Sequence, residues 1–215
     1  MPKPMFVWSG SAWVSVATEV ESLANFATQS YAANQPGSKL IVPSSVAVGS
    51  GSGSVATQGT VSFSGASSVS VNDVFSATYS NYIILLNTTG SANQQVNFRL
   101  RVSGTDSTTA YGSQSSASDS TSVFGSRLTP GFWQGNDVRS ADRHLIRYEL
   151  FNPQAAADTF GFQKTASIVA GDTTQISQTN FTLVHDVATA YTGFSLIAST
   201  GTMTGTVSVY GYKAG

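Results

Sequence analysis

A period-two alternation of apolar and polar residues constrains this chain more than any other feature. In Gln95–Val102, Val96 and Phe98 point to one side of an extended strand, while Arg99 and Arg101 point to the other. Runs of this kind, separated by turn-forming residues, are typical of β-strands with one buried face. The alternation, or a short continuous apolar run, recurs in Thr60–Phe63, Val69–Val71, Tyr82–Leu86, His144–Phe151, Thr159–Val169, Gln175–His185, Tyr191–Ala198 and Gly205–Tyr212.

These runs predict an all-β domain, because no helical period of useful length follows Tyr31. An antiparallel β-sandwich, jelly-roll-like in type, accommodates about nine such strands. Tyr82–Leu86 is apolar throughout and is predicted to be a central strand buried on both faces. Phe194–Lys213 carries two alternating runs around a Gly/Thr turn, which predicts a β-hairpin that closes the domain.

The first 45 residues differ from the rest and are predicted to form a separate N-terminal segment. Phe6–Val14 contains two short runs around Ser9-Gly10, which predicts a small hairpin. Trp8 and Trp13 are expected to pair across its two strands. Residues 46–215 are predicted to form the β-sandwich domain.

A short helix is predicted over Thr18–Ala33, because Thr18 and Glu21 match a capping box. Apolar residues within and just before it follow a spacing of four and three, as heptad core positions do. Two arrangements agree with this spacing: the helix packs on the β-domain of its own chain, or it bundles with identical chains. The residues concerned are Val16, Val20, Leu23 and Ala27.

Gly49–Ser54 alternates glycine and serine, a composition typical of flexible segments. It is predicted to link the N-terminal segment to the main domain. The alternative is a mobile loop inside the domain, since Val46 and Val48 already alternate before it.

The interval from Ser103 to Ala141 lacks clear strands and is predicted to be a long, serine-rich loop. Loops of this length in compact domains are usually functional. Inside it, Phe132-Trp133 is flanked by glycine and proline, which suggests an exposed aromatic platform for a sugar ring. Gln134, Asn136 and Asp137 would then meet the sugar hydroxyls. The alternative, which the pattern favours, is that the two aromatic residues plug one end of the sandwich or a subunit interface.

Composition and charge exclude several classes of function. Charged residues make up 10% of the chain and the net charge is −1, so no basic surface for nucleic acid is predicted. Cysteine is absent, which excludes disulfides and thiolate metal sites. No apolar window is long enough to span a membrane.

Catalysis is not indicated by the titratable residues. His185 precedes Asp186, but neighbours on a strand face opposite sides of the sheet. Most of the 11 acidic residues lie in contexts typical of turns, such as Gly104–Ser107. We therefore expect no enzyme activity, no metal and no cofactor. A pair of carboxylates that cleaves polysaccharide stays open as a lesser alternative.

The chain from Ile41 to Gly215 resembles the C-terminal domains of tail fibres and minor tail proteins of tailed bacteriophages, particularly those that infect cyanobacteria and actinobacteria. Trp8–Trp13 also looks like short hairpins of phage fibres. The stretches that carry the resemblance are Ile41–Ser54, Gly59–Val71, Val74–Tyr82, Leu100–Asp106 and Gly201–Tyr212.

The resemblance implies a structural virion protein: a homotrimer fixed to other virion proteins by its N-terminal segment, with the β-domain displayed outward toward the host surface, where a glycan is the expected ligand. Val16, Val20, Leu23 and Ala27 would then form the trimer contact, and the hairpin with Trp8 and Trp13 the anchor. Fibre proteins usually carry a long shaft, and none is predicted in this sequence. A stubby fibre, a fibre tip on another protein, or a capsid decoration or baseplate protein with no host ligand would each fit.

Overall fold

The computed structural model describes residues 6–8, 10–15, 37–119, 122–129, 131–135, 137–169 and 172–213. The chain divides into two compact units, Met1–Gly37 and Ser38–Gly215. In the first unit, β1 (Phe6–Trp8) pairs antiparallel with β2 (Trp13–Ser15). Trp8 lies directly opposite Trp13, which confirms the predicted hairpin. The predicted helix and its heptad-like residues, Val16, Val20, Leu23 and Ala27, lie outside the described residues.

The described part of the second unit is built from β-strands and their connections, without a helix. Its strands are β3 (Lys39–Ile41), β4 (Ser45–Val48), β5 (Ser52–Val55), β6 (Val61–Ala66), β7 (Ser68–Asn72), β8 (Asn81–Gly90), β9 (Gln94–Val102), β10 (Thr105–Asp106), β11 (Tyr111–Asp119), β12 (Ser122–Leu128), β13 (Asp137–Val138), β14 (His144–Phe151), β15 (Thr159–Val169), β16 (Asp172–His185), β17 (Gly193–Ala198) and β18 (Met203–Tyr212).

These strands form two antiparallel sheets. The large sheet has the order β12-β11-β16-β15-β14-β8-β18-β6-β5, with β3 also paired to β18, and it curls into a half-barrel. The small sheet has the order β10-β9-β17-β7-β4, with β13 also paired to β9. The prediction of an all-β, antiparallel fold is therefore confirmed.

One apolar core joins the two sheets. Phe98 of the small sheet stacks on Phe194 with ring centroids 5.0 Å apart, and it also contacts Tyr148 of the large sheet at 4.8 Å. All three side chains are buried. The run Tyr82–Leu86 lies in β8, which is a central strand as predicted, but its residues alternate between buried and partly exposed. Only one face of this strand is therefore fully buried.

The C-terminal hairpin is not formed, because its two strands belong to different sheets. β17 lies between β7 and β9 in the small sheet, and β18 lies between β8 and β6 in the large one. The Gly/Thr turn between them is an arch across the core. Period-two alternation gives the same signal for an arch and for a hairpin, since it does not identify a strand's hydrogen-bonding partner.

The predicted serine-rich loop is wrong in its first half, where β11 and β12 form a long hairpin. The serine-rich strand is accommodated there because its backbone hydrogen-bonding groups are paired on both sides. β11 pairs with β12 on one side and with β16 on the other. The side chains add to this pairing: Ser115 Oγ and Ser126 Oγ are 2.9 Å apart. Low β-propensity is overridden here by pairing on both edges of the strand.

Gly49–Ser54 is not a link between units, because it lies inside the β-domain. Gly49–Gly51 connects β4 of the small sheet to β5 of the large sheet, and Ser52–Ser54 belongs to β5 itself. Gly51 has a φ of 69°, and a Cβ there would lie 2.0 Å from the carbonyl oxygen of Ser64. The glycine therefore permits close backbone approach as well as a left-handed turn.

Candidate ligand-binding face

Strand β15 has its polarity reversed relative to an ordinary half-buried strand. Gln163 is fully buried and Thr165 is 4% exposed on the core side, whereas Phe160 and Phe162 are 53% and 47% exposed on the outer side. Burial of large apolar side chains normally drives folding. A strand that turns its phenylalanines to solvent and its amide inward therefore marks a candidate interaction surface.

The outer face around these phenylalanines is set by strand register. Across the sheet, Arg127 of β12 lies opposite Gln114 of β11, and Gln114 lies opposite Thr182 of β16. Thr182 in turn lies opposite Phe162. Residues two apart along a strand share a face. The next row of the same face, on the side of the connection between β11 and β12, therefore contains Ser116, Asn180 and Lys164 side by side.

Two adjoining hollows form a groove on this face. The larger has a volume of about 420 Å³ and the smaller one of about 180 Å³. Both are lined by Gln114 and Thr182, so they lie side by side on this face. The larger is lined by Gly112, Ser113, Gln114, Arg127, Thr129, Phe160, Thr182, Leu183 and Val184. The smaller is lined by Gln114, Ser115, Ser116, Phe162, Gln163, Lys164, Asn180, Phe181 and Thr182.

Glycine helps to open the larger hollow. A Cβ at Gly112 would lie 2.9 Å from a methyl group of Val184, so any side chain there would crowd the floor of the groove. Phe160 and Phe162 form the aromatic wall of the groove. Phe162 is held in place by packing, because its ring meets that of Phe151 edge to face with centroids 5.7 Å apart. A fixed ring loses little conformational freedom when a ligand binds, which favours recognition.

A charged cluster borders the aromatic wall on β14 and β18. Glu149 accepts a hydrogen bond from Tyr212 Oη at 2.6 Å and forms an ion pair with Arg147 at 3.1 Å. Burial, together with the hydrogen bond to Glu149, raises the pKa of Tyr212 to about 12. The phenol therefore stays a neutral donor at physiological pH, and Glu149 is already occupied by protein partners.

The residues of the predicted receptor loop do not form an exposed platform. Trp133 is fully buried, and its indole Nε1 donates to the carbonyl oxygen of Val184 at 2.8 Å. Its backbone pairs with Phe98 in an isolated bridge. Trp133 is therefore a core residue, in agreement with the alternative that it plugs the domain, and it is not available to stack on a sugar.

The other described members of that loop have different surroundings. Phe132 is half-buried, with the Arg99 guanidinium 5.9 Å from its ring centroid. Gln134 is partly exposed. Asp137 belongs to β13 and pairs through its backbone with Gln95 of β9. Asn136 lies outside the described residues.

Sequence reasoning missed Phe160 and Phe162, although their alternation with Gly161 and Gln163 was visible. The usual assignment of the apolar side of a strand to the core would have buried them. The one sequence feature that could have identified them is the composition of the other face of the strand. Glycine, glutamine and threonine on that face offer little apolar side-chain volume, which is unusual for a face that packs on a core.

A second cluster surrounds His185 inside the domain. Its Nε2 lies 2.6 Å from Tyr191 Oη and 3.1 Å from Ser107 Oγ, and its Nδ1 lies 3.1 Å from the carbonyl oxygen of Ala110. Burial lowers the pKa of this imidazole. Because His185 is fully buried and its ring atoms are occupied, we assign this cluster to the stability of the fold.

No family model, curated protein or solved structure matches this chain. Within the described ranges, no group of three or more His, Cys, Asp or Glu side chains is placed to hold a metal ion. The same ranges contain no helix that is long and apolar enough to cross a membrane.

Proposed function

We propose that this protein is a non-enzymatic attachment protein of a bacteriophage virion, a short trimeric tail fibre that binds carbohydrate on the host surface. In this proposal the two sheets pack as a β-sandwich head, and the groove beside Phe160 and Phe162 holds the glycan. The observation that carries the proposal is the outward placement of these two aromatic residues on a strand that buries glutamine and threonine.

The groove has the chemistry that carbohydrate recognition requires. Aromatic rings pack against the apolar faces of sugars, and planar amides and hydroxyls satisfy sugar hydroxyls. Gln114 and Asn180 supply amides, and Thr182 supplies a hydroxyl, next to the phenylalanines. A single exposed groove of this kind binds weakly, and three copies in a trimer would raise the apparent affinity by about 10²–10⁴.

The proposal is tested with a double variant, Phe160→Ser with Phe162→Ser, in host-cell adsorption and glycan-array binding. We expect binding to fall at least tenfold while the far-UV circular dichroism spectrum stays unchanged. Leu145→Ser is the matched control, because Leu145 is 53% exposed on the same sheet but does not line the groove. Full binding by the double variant would reject the groove as the attachment site.

A capsid decoration or baseplate protein is the second candidate, and one observation favours it. Three exposed apolar side chains, Leu145, Phe160 and Phe162, lie on one face of the large sheet, as in a surface that another virion protein covers. In that case Leu145→Ser would impair virion incorporation as much as the double variant does, and neither the original chain nor the variants would bind glycan.

The proposed anchor is tested by removing the first unit, Met1–Gly37. We expect the remaining domain to fold and to bind glycan as a monomer in light scattering, but to fail to join the particle. Incorporation of the shortened chain would contradict the anchor, and a trimer without residues 1–37 would contradict the proposed role of Val16, Val20, Leu23 and Ala27. Release of reducing sugar from the host envelope would instead support the depolymerase alternative.

A further inference from the structure

We infer that the groove selects acidic glycans and that it contacts two separate anionic sugar units. This inference rests on the proposed carbohydrate-binding function and adds the charge class of the ligand. It is carried by two cationic side chains, Arg127 in the larger hollow and Lys164 in the smaller one, together with the absence of any carboxylate among the described residues that line either hollow.

The two cations are too far apart to share one anion. Arg127 and Lys164 are separated by three strand-to-strand steps and by two residues along the strand. At ordinary sheet spacings this places their Cα atoms about 16 Å apart. Both side chains are exposed. An extended chain with repeated anionic groups can reach both, whereas a single acidic monosaccharide cannot.

The space between the cations suits the neutral part of such a chain. Gln114, Thr182, Ser116 and Asn180 lie between them on the same face. These side chains donate and accept hydrogen bonds without adding charge. Phe162 stands next to Lys164 on β15, two residues away, so that one sugar ring packs on the phenyl group while its acidic substituent meets the ammonium group.

The carboxylates around the groove do not cancel this preference. Glu149, on the strand next to Phe162, is paired with Arg147 and hydrogen-bonded to Tyr212. Asp158 and Asp186 are exposed at the opposite end of β15 and β16, beyond Phe160 and Val184. They disfavour an anion at that end, and so they orient the acidic units toward Arg127 and Lys164.

The test is an array of uronate oligosaccharides of increasing length, printed beside their carboxyl-reduced forms and beside sulfated sugars, with the full-length protein. We expect acidic oligosaccharides to bind more strongly than their carboxyl-reduced forms. A single acidic monosaccharide should bind little more strongly than its reduced form. Arg127→Gln and Lys164→Gln should each weaken acidic binding about two- to fivefold, with binding to the reduced forms unchanged. High salt should abolish the preference, because exposed charges are screened.

Arg139→Gln is the matched control, because it changes the net charge equally and lines a separate polar pocket with Asn93 and Gln95. Equal binding of acidic and reduced forms would overturn the charge inference and leave the carbohydrate-binding function standing. Loss of binding in Arg139→Gln as large as in Arg127→Gln would also overturn it, since the effect would then follow net charge. A preference for sulfated over uronate sugars would support the inference with the sulfate as the anion. Absence of binding to every sugar would overturn both proposals.

Discussion

Truncation of Trp133 distinguishes a core aromatic residue from a ligand platform. The side chain is fully buried, its Nε1 donates to Val184 at 2.8 Å, and its ring lies 5.5 Å from the rings of Phe98 and Tyr111. A buried aromatic side chain removes roughly 200 Å² from water, which corresponds to about 5 kcal/mol at about 25 cal/mol per Å². The variant also removes the hydrogen bond from the indole to the Val184 carbonyl oxygen, which adds about 1 kcal/mol.

Because the surrounding side chains relax into part of the space, we expect Trp133→Ala to lower the free energy of unfolding by about 4–5 kcal/mol. In a domain of this size, that loss lowers Tm by about 10–15 °C. The milder variant Trp133→Phe keeps a ring but loses the N–H group, and it should lower the free energy of unfolding by about 2 kcal/mol. Urea denaturation followed by far-UV circular dichroism measures both values.

Phe162→Ala is the matched control, since it removes an aromatic ring that is 47% exposed. It should lower the free energy of unfolding by less than about 1 kcal/mol, yet weaken carbohydrate binding. Folded Trp133→Phe should bind carbohydrate as the original chain does. A loss below about 2 kcal/mol for Trp133→Ala, or equal losses for Trp133→Ala and Phe162→Ala, would refute the assignment of Trp133 to the core.

Three further predictions concern the interior. Tyr82→Phe should destabilise the domain by about 1–2 kcal/mol, because Tyr82 Oη donates to the Ser76 carbonyl oxygen at 2.8 Å. Tyr148→Phe should lower the free energy of unfolding by less, since Tyr148 Oη has no protein partner among the described residues. Urea denaturation midpoints compare the stabilities of the two variants. Burial lowers the pKa of His185 from 6.5, so the unfolded chain binds more protons in mild acid. Its contribution to stability is complete above about pH 6.5 and is lost as the pH falls from there through the folded pKa; His185→Gln should flatten that part of the pH–stability curve, and an unchanged slope would contradict this. Gly135→Ala should abolish folding, because a Cβ there would lie 1.5 Å from the Val96 carbonyl oxygen; soluble, folded variant protein at ordinary yield would contradict it.

Strand positions could be predicted where a local rule was sufficient. The alternation in Gln95–Val102 and Gly205–Tyr212 follows from the pleat of an extended chain, in which successive side chains point to opposite faces. The N-terminal hairpin was predictable for the same reason, because Ser9-Gly10 separates two short apolar runs and places Trp8 opposite Trp13.

Strand partners could not be predicted from such rules. The strands of Phe194–Lys213 joined different sheets, and the serine-rich stretch formed β11 and β12 because β16 supplied a second hydrogen-bonding edge. Pairing depends on residues far apart in the chain: Ser113 and its partner Leu183, for example, are 70 positions apart. No composition window contains that information.

The candidate site shows the same division between local and distant information. Local alternation is enough to show that Phe160 and Phe162 share one face of a strand and that Gly161 and Gln163 share the other. It does not show which face is buried, and in the folded domain the buried face is that of the glutamine. Which face of β15 is buried depends on what packs against each side of the sheet. The core residues opposite this sheet, such as those of β9 and β17, come from distant parts of the chain. Trp133 was decided in the same way, because a Phe-Trp pair between glycines has no local preference for core or solvent until another strand, here β9 with Phe98, packs against it.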